Sequence, residues 1–341
     1  IPRVTIPVEL SALLAGQVRI SALVLERLHL IFRPKPAGKD IPKMAQVIET
    51  IDQASQAVLD AFDERGLESI EVVNGDVTIR AETDRYISGI DARLSKGEKN
   101  SLILEADIAG RFGRWEVEFR RMIDPENGER IVSASSSPLT LGEFMPPDRE
   151  LVPGKGLGVP FQPRFEGRLT SEGGFKTARF NVEVAGGWIK TGRSVVAFDR
   201  VNVGLAWAPG LDGFRIQPSH YVKGRTVIPF QGVVESPRDW EDTWSYKIIS
   251  RNARILPGDV SGMPLPVSTA LVQGRADPHE RTIFFDRIAL RASTAKIDGA
   301  GSVQLTDQGP YMALALESGG MPVATLKRLW PVTFAPPARA W

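Results

Sequence analysis

The stretch Leu102-Ile103-Leu104-Glu105-Ala106-Asp107-Ile108 places Leu102, Leu104, Ala106 and Ile108 on one side of an extended chain. That period of two is the mark of a strand with one apolar face. The pattern recurs along the sequence. Phe180, Val182 and Val184 alternate with Arg179, Asn181 and Glu183; Val201, Val203, Leu205 and Trp207 alternate with Asn202, Gly204 and Ala206; Met312, Leu314 and Leu316 repeat it near the end. Counting β-rich runs bounded by Gly, Asn, Asp or Pro gives about fifteen strands. Turns are expected at Asn74-Gly75, Asp298-Gly299 and Glu172-Gly173-Gly174. Strands this close together pair antiparallel, because parallel neighbours need crossovers of a dozen residues or more. The expected class is mainly β, built on a long twisted antiparallel sheet.

One long stretch has helical spacing instead. Ile41, Met44, Val47, Ile48, Ile51, Ala54, Val58 and Phe62 recur every three or four residues. Asp40 is the expected cap and Gly66 the expected stop. Glu49, Asp52, Gln56, Asp60 and Asp63 fall on the other side, so this helix over 40–66 is expected to lay one apolar stripe, with Ile51, Val58 and Phe62 as contacts, on the sheet. A second, short helix is expected over Val323 to Leu329. The division read from these patterns is a first β unit over 1–138, a Pro/Gly-rich joint over 139–163, a second β unit over 164–255, a third strand group over 256–320 and a helical segment over 321–341.

Composition narrows the function. The 341 residues carry 42 Lys+Arg against 41 Asp+Glu, giving a net charge of +1. No broad basic field for nucleic acid follows from that balance. With no cysteine there is no disulfide framework or thiolate site, and His29, His220 and His279 are too scattered for a metal cluster. Gly154-Lys155-Gly156-Leu157-Gly158 lacks the spacing of a phosphate-binding loop. Asp277-Pro278-His279-Glu280 reads as a hairpin turn. Tyr221, Trp240 and Trp244 have the chemistry to stack on sugar, but no carboxylate pair can be named beside them. The chain is expected to be no enzyme and to need no cofactor. No run of apolar residues is long enough to span a membrane as a helix. A start at Ile1-Pro2 and an end at Ala340-Trp341 read as those of a piece of a longer polypeptide.

A sheet with one apolar face must bury it, and two helices cannot cover so many strands. Either the sheet folds on itself as a sandwich or barrel, the commoner solution, or it curls around something apolar that is not protein. The 32 glycines and 25 prolines bear on this. Gly167, Gly204, Gly232 and Gly301 fall within strand patterns, where bulges and bends let a sheet curve.

The order of segments resembles a known family. Ala15 to Leu30 is followed by Phe32-Arg33, a helix, and then Ile70-Glu71-Val72-Val73-Asn74-Gly75-Asp76-Val77. This is similar to the N-terminal region of AsmA-like proteins of the Gram-negative envelope. Leu326-Lys327-Arg328-Leu329-Trp330-Pro331 with Ala335 to Trp341 resembles a segment of the YhdP-like branch. The resemblance implies a bridge-type lipid transfer protein, anchored in the inner membrane, whose β groove in the periplasm conducts phospholipid between the inner and outer membranes. It implies lipid contacts from Leu102, Leu104, Ile108, Phe180, Val182, Val184, Val203, Leu205, Trp207, Met312, Leu314 and Leu316, with the long helix capping the groove. The other expectation kept open is a non-catalytic scaffold for envelope assembly partners.

Overall fold

A computed structural model describes residues 3–7, 20–33, 43–80, 84–140, 143, 159–191, 194–237, 242–257, 261–306 and 309–329. Its strands are β1 (Arg3–Thr5), β2 (Ala22–Glu26), β3 (His29–Phe32), β4 (Ser69–Ile79), β5 (Arg85–Gly97), β6 (Ser101–Gly110), β7 (Gly113–Ile123), β8 (Arg130–Ser136), β9 (Leu139–Thr140) and β10 (Pro160–Leu169). They continue with β11 (Phe175–Thr191), β12 (Ser194–Trp207), β13 (Gly213–Lys223), β14 (Thr226–Glu235), β15 (Trp244–Ile255), β16 (Leu265–Asp277), β17 (Thr282–Ala292), β18 (Ala295–Thr306) and β19 (Gly309–Ser318). The helices are α1 (Met44–Arg65) and α2 (Val323–Leu329).

All nineteen strands belong to one open, mostly antiparallel sheet. From β4 to β8 each strand pairs with the next, β8 then pairs with β10, and from β12 to β19 the meander is unbroken. The exception is the N-terminal edge. There β2 and β3 both lie parallel to β4, because α1 carries the chain back across the sheet before β4 begins. Contacts divide the chain into two units, one of Ile1–Gly38, Pro42–Leu151 and Phe161–Phe180, the other of Lys39–Ile41, Val152–Pro160 and Asn181–Trp341. The expected joint over 139–163 lies largely outside the described residues.

Two expected turns are not turns. Asn74 and Gly75 lie inside β4, where the pairing with β5 slips by one residue. Asn74 takes the left-handed conformation, φ 52°, and its N–H donates to the Asp91 carboxylate at 2.8 Å. The Asn-Gly pair therefore makes a bulge, which needs the same backbone freedom as a turn. Asp298 and Gly299 lie within β18, paired on both sides, with Asp298 accepting from Arg291 at 2.6 Å across the ladder. Glu172-Gly173-Gly174 is a turn, closed by Thr170 N–H donating to Gly174 O at 2.7 Å. So is Asp277-Pro278-His279-Glu280, where the Asp277 carboxylate accepts from the backbone of His279 and Glu280.

Helix α1 ends as expected, with Gly66 in the left-handed conformation. Lys43 stands at its N-cap position without a side-chain capping hydrogen bond, and Asp40 lies outside the described residues. Its buried face is Ile48, Asp52, Ser55, Leu59 and Phe62, rotated from the expected stripe. Phe62 is buried, whereas Ile51 and Val58 sit half-buried on the flank and Val47 is exposed. Asp52 and Gln56 face inward, contrary to the sequence reading. The cause lies in the sheet: buried Arg121 of β7 donates to Asp52 at 3.0 Å and to Gln56 at 2.8 Å, and Arg130 of β8 donates to Asp52 at 2.9 Å.

Candidate functional site

In the second unit, direct cross-strand pairing builds a row of Leu205, Ile216, Gly232, Ile248, Val272, Ile288, Gly299 and Leu316, one residue from each of eight strands. Paired residues share a face, so all these side chains point the same way. Beside it runs a second row: Phe214, Val234, Tyr246, Gly274, Phe285, Gly301 and Leu314. Trp207 extends it, its ring 5.5 Å from that of Phe214. A third row is Trp244, Ala276, Ile283, Val303 and Met312. The three rows form a band with no charged side chain. At about 4.8 Å between strands, eight strands carry it roughly 34 Å.

The other face is different. There Arg215, Val233, Lys247, Gln273 and Arg287 make the intervening row. Packed sandwich cores bury both inner faces. None of the band's large apolar side chains is among the buried core, and Leu316 and Met312 are 50% and 42% exposed. The band is an apolar surface left half-open, and its reverse face is mixed, with Ile249, Leu271 and Ala289 in the row beside Lys247, Gln273 and Arg287.

Two bulges keep the band in phase. Gln217-Pro218-Ser219 places an extra residue in β13 against both neighbours, since Pro218 has no N–H for the ladder. Ser219 bridges the gap, accepting from Gly204 N–H at 3.1 Å and donating to Gln217 O at 2.7 Å. Asp286 is the extra residue of β17 and holds Arg275 at 3.2 Å. Opposite that bulge, the Tyr246 hydroxyl crosses Gly274 to donate to Phe284 O at 2.9 Å. A Cβ on Gly274 would sit 1.8 Å from that oxygen. Burial, with Asp286 adding, pushes the Tyr246 phenol up to about 12, so it stays a neutral donor within the band.

The first unit has equivalent rows. Ile70, Leu94, Leu104, Phe119, Ala134 and Phe165 form one, and Val72, Ala92, Ala106, Val117 and Ser136 the next. Here both ends are closed. Helix α1 covers the row of Leu102, Arg121, Val132 and Gly167; a Cβ on Gly167 would approach Ile48 to 2.9 Å, so glycine lets the helix lie close. At the far end Ile108, Trp115 and Leu139 pack as a buried cluster, with Ile87, Ile90 and Phe161 against it. A depression of about 900 Å³ in this unit is bounded by Glu71, Arg93, Glu105, Asp107, Glu116 and Glu118, and by Ala92 and Ala106 between them. The neighbouring Leu94, Leu104 and Phe119 do not line it, so it opens on the charged face.

The residues singled out from sequence therefore divide. Leu205, Trp207, Met312, Leu314 and Leu316 come together in the band, and Val203 lies on the same face of β12, half-buried. Leu104 sits half-buried in the corresponding row of the first unit. Leu102 and Ile108 are buried, one beneath α1 and one in the Trp115 cluster. Phe180, Val182 and Val184 are half-buried along β11, alternating with exposed Arg179, Asn181 and Glu183. Sequence reasoning missed Ile216, Tyr246, Ile248, Val272, Phe285 and Ile288. The bulges break the period of two on β13 and β17 and so hide Ile216, Phe285 and Ile288, with Pro218 inside the β13 pattern the available signal.

Among the described residues no group of His, Asp and Glu could hold a metal ion, and no helix is long and apolar enough to cross a membrane. Comparisons with family models, curated proteins and solved structures find no match.

Proposed function

We propose that the chain is a lipid-transfer module that shields phospholipid acyl chains on the apolar band, as the AsmA-like resemblance implies. The observation that carries this reading is the band itself: two apolar rows across eight strands and a third across five, lacking charge and left half-open. Covering such a surface with hydrocarbon is favourable by about 0.8 kcal/mol for each methylene removed from water. Its length of roughly 34 Å is close to the ~30 Å hydrocarbon thickness of a bilayer. Head groups would stay in water at its margin. On this reading the parent protein is anchored in the inner membrane, works in the periplasm and supports the outer membrane by passing phospholipid towards it, with no chemical step.

Mass spectrometry of the purified chain tests this. Phospholipid should co-purify, and Val272→Glu, which puts a carboxylate in the middle of the band, should remove most of it while far-ultraviolet circular dichroism is unchanged. If wild-type chain and variant carry equally little lipid, and a defined envelope protein is retained instead, the scaffold reading replaces this one.

A further inference from the structure

The reverse face of the second unit carries more cation than its own acids answer, an asymmetry that the overall charge of +1 hides. Arg215, Lys247 and Arg287 stand on alternate strands of one cross-strand row, with Val233 and Gln273 between them. Four residues further along the strands, a second row places Arg251 on β15 and Lys296 on β18. All five are exposed, and within the described residues none makes an ion pair. Asp286 is taken by Arg275 at 3.2 Å and Asp298 by Arg291 at 2.6 Å, while Glu235 on the adjoining row accepts from Ser245 Oγ at 2.9 Å. The bond to Arg291 holds the Asp298 carboxyl below the usual carboxylate range, with the field of Lys296 and Arg287 adding to it.

Between the two cationic rows lie Ile249, Leu271 and Ala289, directly paired on β15, β16 and β17. The face is therefore an apolar strip with cations along both sides. At ~3.4 Å per residue the cationic rows are roughly 14 Å apart, and an α-helix with its side chains is ~10–12 Å wide. At ~4.8 Å from strand to strand, Ile249, Leu271 and Ala289 follow one another nearly in step with the ~5.4 Å pitch of a helix. We propose that this strip docks an amphipathic helix of a partner protein, laid across β15 to β17 with its apolar stripe on Ile249, Leu271 and Ala289 and with Asp or Glu along both flanks. Charge complementarity selects this occupant: one flank meets Lys247 and Arg287, the other Arg251 and Lys296, and the apolar stripe fixes the face between them. A nucleic acid or an anionic bilayer surface would match the cations and leave the strip unmatched. The site is on the face opposite the apolar band, so it is independent of the lipid reading.

Fluorescence anisotropy of a labelled synthetic peptide of about five helical turns, with Leu along one stripe, Glu on both flanks and Ala elsewhere, tests this on the intact chain. The peptide should bind at micromolar concentration, more weakly as salt is raised, and a peptide with Lys in place of every Glu should not bind. Lys247→Glu combined with Arg287→Glu should lower the affinity for the acidic peptide more than tenfold, whereas Val272→Glu on the opposite face should leave it unchanged. A peptide with Lys along one flank and Glu along the other should recover binding to the double variant, a rescue that a misfolded chain could not give. No binding, equal binding of the acidic and basic peptides, or a loss caused by Val272→Glu and not by the double variant overturns the proposal. So does a chain that ignores the acidic peptide but is retained through Lys247 and Arg287 on phosphatidylglycerol vesicles or on a DNA duplex, since the face then reads anionic charge alone.

Discussion

Asp52 is 1% exposed and answers two arginines, Arg121 and Arg130, beneath α1. Ionised groups so placed are held by their partners, and removing one strands the other. Asp52→Ala should therefore lower stability by about 3 to 5 kcal/mol, read from urea unfolding. Ile48→Ala, a fully buried truncation, should cost about 2 to 5 kcal/mol. Ile51→Asp should cost clearly less than Asp52→Ala, because Ile51 is half-buried on the flank; equal losses would mean that the packed face is the one read from sequence. Tyr246→Phe removes one hydrogen bond and should cost about 1 kcal/mol. Gly274→Ala should cost more than Tyr246→Phe, because its Cβ has no room beside Phe284 O. Hydropathy showed that α1 has an inner face, but it assigned Asp52 and Gln56 to water. Their partners are 65 to 78 residues distant in sequence, and no local pattern reports a pairing of that range.

Elements were more legible than contacts. Alternation in β6, β12 and β19, the Gly66 stop of α1 and the limits of α2 all follow from local chemistry. What local chemistry does not separate is a turn from a bulge, since both ask Asn or Gly for a left-handed residue, as Asn74-Gly75 within β4 shows. The α1 anchor makes a prediction at this scale. Asp52→Leu combined with Arg121→Met exchanges the ion pair for apolar contacts of similar size, and such replacements are often neutral. The double variant should recover most of the stability lost in Asp52→Ala, with Arg130 free to turn toward solvent. If it is as unstable as the single variant, the charges are needed to seat α1 and not only to satisfy one another.

Across the molecule, the question left open by the sequence was what covers the apolar face. The structure rules for an open sheet, and the second unit presents that face as a continuous band while its reverse side carries Arg215, Lys247, Gln273 and Arg287. Neighbouring residues of one strand therefore sample the two surfaces in the same fold. The most direct test places a photo-activatable crosslinking residue at Ile248 in one variant and at Lys247 in another, irradiates cells expressing each, and measures phospholipid attached to the purified chain. The lipid-transfer account predicts adducts at Ile248 and none above background at Lys247; no adduct at Ile248, or equal labelling of the two, would contradict it.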